Sequence, residues 1–160
     1  MKQKNLWLLV GIPGSGKSTW VREQLTSKSE HWISRDIIRF GMVQEDEEYF
    51  SKEKEVFNLF VRAVQADIDS NSITDIYVDA THINETSREK LLRRLKNLEN
   101  VNLNAIVFDI PLEVCLERNA QRTGRACVPE TAIRNMYKNF TNPAYDERKY
   151  DNIIEMGDLI

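Results

Sequence analysis

At 160 residues, with 41% hydrophobic and 29% charged residues, the chain has the length and apolar content of one globular domain built on one core. Six Gly and four Pro exclude a collagen-like or low-complexity chain, and 22 Lys plus Arg against 25 Asp plus Glu leave a net charge of −3, so a polyanion must be met by a local patch rather than a global field. No apolar run reaches the roughly 20 residues that cross a bilayer, and MKQKNLWLLVG runs straight into a glycine loop instead of a signal cleavage site, which makes a cytoplasmic location with no membrane partner the expectation.

Asn5 to Val10 is an apolar run of strand length stopped by Gly11 and Pro13, and the spacing predicts a helix from Lys17 to about Lys28. His31 to Ser34 reads as a short strand, and Arg35 to Met42 as a short helix carrying Ile37, Ile38 and Phe40. Glu45 to Glu48 reads as a solvated loop. From Phe50 to Ser70, Val56, Phe57, Phe60, Val61, Val64 and Ile68 recur at three- and four-residue steps, so one long helix buries a single stripe. Asp75 to Ala80 is strand-like, Asn84 to Leu98 an amphipathic helix, and Leu103 to Ile110 a further strand. Pro111 opens a helix over Leu112 to Arg122 that gives way at Thr123 and Gly124, a helix follows from Pro129 to Phe140, and Tyr150 to Met156 is placed to be a closing strand. Strands alternating with helices predict a parallel sheet covered on both faces, because a parallel connection needs a crossover long enough to hold a helix. Cys115 and Cys127 are too far apart for a CxxC pair and too few for a zinc cluster, and read as free thiols.

Gly11-Ile12-Pro13-Gly14-Ser15-Gly16-Lys17-Ser18 matches G-x-x-x-x-G-K-[ST] and lies between an apolar strand and a helix, where that chemistry requires it. Glycines let the backbone bend so that successive N–H groups converge on phosphate oxygens, and the new helix presents its positive end to the same anion. Lys17 would reach the β and γ phosphates of ATP and Ser18 would offer its hydroxyl to Mg²⁺, with Thr19 a lesser candidate. The competing reading is a glycine-rich turn that only joins strand to helix.

Phosphoryl transfer also needs a carboxylate for the acceptor and positive charge on the transferring group. Asp36, just beyond the second strand, is placed to accept the proton of a hydroxyl, and Arg39, on the same helical face, to hold an anionic group of the acceptor; the local alternative is a helix cap with a surface ion pair. Asp79, at a strand end, is placed to contact Mg²⁺ through water, or equally to cap the following helix. Arg118, Arg122 and Arg125 flank Thr123-Gly124 and suit a lid that closes over ATP, or a solvated face at a helix C-terminus. His31 and His82 have no metal-ligand partners at suitable spacing.

Taken together, GIPGSGKSTW, SRDIIR, VDATHIN and VFDIPLEVCLERNAQRTGRACVP followed by NMYKNF resemble the kinase domain of the phage-type polynucleotide 5′-kinase family along nearly the whole chain. The glycine loop is shared by many enzymes, whereas FDIP, an RN-x-x-R lid and VP in one tail are much more restrictive. The resemblance implies an α/β P-loop NTPase of adenylate-kinase-like fold, with a parallel sheet, helices on both faces and a small helical lid, residues 1–160 forming one kinase domain. It implies ATP- and Mg²⁺-dependent phosphorylation of nucleic acid 5′-hydroxyl ends, with Lys17 and Ser18 on the nucleotide phosphates and Mg²⁺, Asp36 as general base, Arg39 on the acceptor's 3′-phosphate, and Arg118 and Arg122 as lid arginines. The family's acidic residue after the third strand falls at Ala80, one step beyond Asp79. The chain also has no room for the phosphatase or ligase domains that accompany this kinase, so separate proteins are expected to supply those steps. Rival functions are a P-loop kinase of a small hydroxyl-bearing metabolite or antibiotic, which shares every ATP residue, and an ATP-dependent switch module.

Overall fold

Five strands, β1 (Lys4–Val10), β2 (Glu30–Ser34), β3 (Asp75–Asp79), β4 (Val101–Phe108) and β5 (Asn152–Met156), pair in parallel in the order β2-β3-β1-β4-β5 in the computed structural model, which describes residues 4–157. Between them run α1 (Lys17–Gln24), α2 (Arg35–Met42), α3 (Glu53–Asp69), α4 (Glu85–Leu92), α5 (Leu112–Ala120) and α6 (Glu130–Lys138). The apolar alternation along β1 explains the layering. Leu6 and Leu8 face a core completed by Phe57, Phe60 and Val64 of α3 and by Leu91 and Leu92 of α4. Leu9 faces the opposite core, with Val21 of α1, Cys115 of α5 and Ile133 of α6. Helices thus cover both faces, as the alternation of elements requires. Both cysteines are free thiols, Cys115 buried. No helix among the described residues is long and apolar enough to cross a membrane.

The helices α4, α1 and α5 stop earlier than the sequence spacing predicts. The α4 pattern continues through Leu95, which is buried, but the helix ends at Leu92. The amide of Gln65 on α3 brackets the backbone of Lys96, donating to its carbonyl over 3.1 Å and accepting its N–H over 2.8 Å, and Asn97 takes φ 65°. Packing against α3 therefore replaces the helical bonds while keeping the leucines inside. The helix α1 ends at Gln24 rather than Lys28 because Thr26 turns away to donate its backbone N–H and hydroxyl to Glu30. The helix α5 ends at Ala120 rather than Arg122: Asn119, almost fully buried, clasps Val128 through both amide atoms, at 2.7 and 2.9 Å, and folds the chain back. The segment between carries a single 3-10 turn, Gly124–Ala126, in place of a continued helix.

Candidate active site

The glycine loop leaves β1, the middle strand, and enters α1 in the crevice beyond the C-terminal strand ends, where open parallel sheets bind ligands. Gly14 and Gly16 have φ of 85° and 93°, the left-handed region that only glycine enters freely. A Cβ on Gly14 would lie 2.5 Å from the carbonyl oxygen of Cys115, so the loop is pressed against the backbone of α5. Lys17 is buried and its ammonium donates to the carbonyls of Gly11 at 2.7 Å and Ile12 at 3.3 Å. Burial pushes the Lys17 ammonium below its ordinary pKa, while the Asp79 and Asp36 carboxylates pull it back up. The Ile12 side chain belongs to the core shared by β1 and α5, not to the cleft. Ser15 Oγ is buried without a partner among the described residues. A buried hydroxyl with no such partner, in the loop that leads into the positive end of α1, fits an anion such as a nucleotide phosphate.

Ser18, in the first turn of α1, donates its hydroxyl to Asp79 Oδ2 over 2.8 Å, and the indole of Trp32 on β2 donates to the same oxygen over 3.0 Å. Asp79 does not cap α4; Asn84 does, in a reciprocal capping box with Ser87. Hydroxyl and carboxylate oxygens together form the hard donor set that suits Mg²⁺, which takes few protein ligands beside substrate phosphates and water.

Asp36 and Arg39 stand across the cleft on α2. Asp36 does not cap its helix, since Ser34 accepts the Ile37 N–H. Arg39 is buried rather than free at the surface. Its Nε and Nη2 donate to the two oxygens of Glu53 at 2.6 and 3.0 Å, and its Nη1 donates to Asp36 Oδ1 and to the Tyr49 hydroxyl. The guanidinium also lies 4.5 Å from the Tyr49 ring centroid. Burial works against the Arg39 charge, but the Glu53 bonds, with Tyr49 and Asp36, outweigh it and raise its pKa. Arg35 shares Glu53 at 3.0 Å. Trp32, Tyr49 and Glu53 are the polar partners that sequence spacing does not reveal; the nearest signal is the aromatic pair Tyr49-Phe50 beside an acidic helix start.

On the opposite wall Arg118 donates to the carbonyl of Gly14 over 3.2 Å, tying α5 to the glycine loop. Arg122, expected inside the helix, lies beyond its end, in the turn that Asn119 closes, with its N–H donating to the Asn119 carbonyl. The side chain of Arg125 lies outside the described residues.

A cleft of about 200 Å³ brings together Pro13 to Thr19, Asp36, Arg39, Tyr49, Asp79 and Arg122. A second, of about 370 Å³, is lined by Trp20, Glu23, Phe108, Ile110, Arg118 and Arg122. The two share Gly14 to Gly16, Thr19 and Arg122, so the loop and one arginine form the ridge between them. A phosphate chain laid on that ridge would have the space beside Trp20, Phe108 and Ile110 at one end and the Asp36 carboxylate at the other.

Residues 6–143 match the model of the AAA_33 family, described as an AAA domain. The chain is 27% identical over 141 residues to the L-seryl-tRNA(Sec) kinase of Methanococcus maripaludis, covering 86% of this chain and 53% of that protein. It is 29% identical to the adenylate kinase of Campylobacter hominis, covering 93% of this chain and 83% of that one. In fold it superposes on a chain of the Pnkp1/Rnl/Hen1 RNA repair complex with a TM-score of 0.68 at 23% identity, covering 87% of this chain and 44% of that chain. The chain thus spans about half the length of that seryl-tRNA kinase and less than half of that repair-complex chain.

Proposed function

The chain belongs to the AAA_33 family, with the fold of a P-loop kinase-like phosphotransferase, and from that premise we propose that it transfers the γ-phosphoryl group of ATP to the 5′-hydroxyl end of a polynucleotide. The observation that carries the reading is the single cleft in which the glycine loop, Lys17 and Ser18 face Asp36 and Arg39. In this reading the backbone of Gly11 to Gly16 and the orphan Ser15 hydroxyl cradle the phosphates, and Lys17 leaves the Gly11 and Ile12 carbonyls for the β and γ oxygens. Ser18 and Asp79 would hold Mg²⁺, which when bound offsets the phosphate charge. Asp36 takes the proton of the acceptor hydroxyl as its oxygen bonds to the γ phosphorus and the bond to the ADP oxygen breaks. Arg122, on the ridge between the two clefts, is positioned to meet charge that builds on the transferring group, and Arg118 to steady the loop and the nucleotide beside it.

Arg35, Arg39, Tyr49 and Phe50 line the cleft, with Arg39 lying over both rings, and give the acceptor side the cations and aromatic groups that suit a nucleotide end. The names of the seryl-tRNA kinase and of the RNA repair complex support an RNA acceptor in the same direction. One observation favours a second reading, a kinase of a small hydroxyl-bearing metabolite: Glu53 occupies both Nε and Nη2 of Arg39, so an acceptor phosphate has to compete for that guanidinium. Incubation with γ-labelled ATP, Mg²⁺ and a panel comprising a 5′-hydroxyl oligonucleotide, a 3′-nucleotide and small sugars and alcohols separates the two. Label on the oligonucleotide and the 3′-nucleotide is expected; label confined to a small sugar overturns the polynucleotide reading.

A further inference from the structure

Asp36 is half-exposed, with 49% of its side chain accessible, yet the carboxylate is not free to turn. The Tyr49 hydroxyl donates to Asp36 Oδ1 over 2.8 Å, and Arg39 Nη1 donates to the same oxygen. Among the described residues no donor reaches Oδ2. The terminal torsion of an aspartate is broad, so an exposed carboxylate held at neither oxygen samples orientations that waste encounters with a bound hydroxyl.

We propose that Tyr49 is a positioning residue for phosphoryl transfer, its hydroxyl pinning Asp36 Oδ1 so that Oδ2 is the oxygen left to accept the proton of the acceptor. The inference rests on the reading of Asp36 as general base. Tyr49 suits the task for three reasons. Its ring is fixed edge-on to Phe50, with centroids 4.6 Å apart, and by the Arg39 guanidinium on its face. Its hydroxyl accepts from Arg39 Nη1 over 3.0 Å, which directs its own proton towards Asp36. Burial, together with the Asp36 charge, pushes the phenol well above its ordinary pKa, so it stays a donor at working pH. Arg39 Nη1 is divided between Asp36 Oδ1 and the Tyr49 hydroxyl, while Glu53 takes its Nε and Nη2, so the tyrosine is the second hand on the carboxylate.

Tyr49→Phe removes one hydroxyl and keeps the ring on Phe50 and Arg39, and Asp36→Asn serves as its companion. With ATP and a 5′-hydroxyl oligonucleotide, Tyr49→Phe is expected to lower kcat on the order of tenfold at unchanged KM for ATP. The lost hydroxyl acts on the Asp36 carboxylate, so its effect is read in turnover and not in ATP binding. The charged groups facing that carboxylate are Arg35 and Arg39 on α2, Lys17 on α1 and, through the arginines, Glu53 on α3; all are retained in the variant. Carboxyl-carbon NMR of aspartate-labelled protein at one fixed pH follows Asp36 without any acceptor, and its resonance is expected to shift in Tyr49→Phe as the donor to Oδ1 is lost. A native rate and an unmoved Asp36 resonance overturn the inference, as does a loss of rate with an unmoved resonance, the mark of a merely structural tyrosine. Native turnover by Asp36→Asn removes the general base itself and Tyr49 with it. Native turnover by Tyr49→Phe beside a crippled Asp36→Asn removes Tyr49 alone. If the native protein is silent toward the oligonucleotide, the resonance decides.

Discussion

The Ser18 hydroxyl donates to Asp79 across 2.8 Å, joining the first turn of α1 to the last residue of β3 although 61 residues separate them in the chain. The bond closes the floor of the cleft between two elements that the parallel sheet sets side by side, β1 with its loop and β3. A metal held by Ser18 therefore has a carboxylate next to it.

Asp79→Asn keeps the shape of that floor and removes its charge. The half-saturating Mg²⁺ concentration is expected to rise roughly 10–100-fold, the usual effect of losing a residue that supports a metal site, with turnover at saturating Mg²⁺ also reduced. Rates measured across a Mg²⁺ titration check this. An unchanged Mg²⁺ requirement would remove Asp79 from the site.

Arg122 borders both clefts, and the Asn119–Val128 clasp fixes the turn that carries it. Arg122→Ala is expected to lower kcat by roughly 10²-fold or more with a smaller change in KM for ATP, since charge on the transferring group is greatest in the transition state. Arg122→Lys restores little, because an ammonium cannot reproduce the two-pronged grip of a guanidinium. The solvated-face alternative expects near-native rates in both variants, and steady-state kinetics at saturating ATP decides between them.

His82 couples stability to pH. It is fully buried, with Nδ1 donating to the Leu9 carbonyl over 2.9 Å, and burial lowers its pKa from 6.5 to about 4, with Arg35, Lys17 and Arg88 adding to the shift. The unfolded chain takes up a proton below about pH 6.5 that the folded chain refuses until about pH 4. Stability therefore falls as pH drops through that window, by roughly 3 kcal/mol from this group, and levels off below it. His82→Asn, tolerated at φ 46°, is expected to flatten that part of the urea-denaturation profile. Parallel profiles for the two proteins would exclude His82 as the source.

The glycine loop was legible because its chemistry is contiguous: three glycines, a lysine and a serine at fixed offsets between a strand and a helix. The parallel sheet was legible from the alternation of elements. The partners that organise the site were not, because folding alone assembles them. Trp32 reaches Asp79 across 47 positions, and Glu53 meets Arg39 only once α3 docks on α2. Helix ends failed for the same reason. The leucine spacing of α4 runs on past Leu92 because those side chains stay buried, while Gln65, 31 residues away, takes over the backbone bonds of Lys96. Spacing placed Asp36 and Arg39 on one face, and they do meet, but it gave no sign that Glu53 would occupy the arginine.

Asp36 stands at the centre of the account, as the acceptor-side carboxylate opposite the glycine loop. The most direct measurement is 5′-phosphorylation of a hydroxyl-ended oligonucleotide at saturating ATP and Mg²⁺ by the native protein and Asp36→Asn side by side, with ATP affinity measured for each. The native protein is expected to phosphorylate the end, and Asp36→Asn to bind ATP as well while turning over roughly 10²-fold or more slowly, the usual contribution of general-base catalysis. Equal turnover by the two proteins would contradict it.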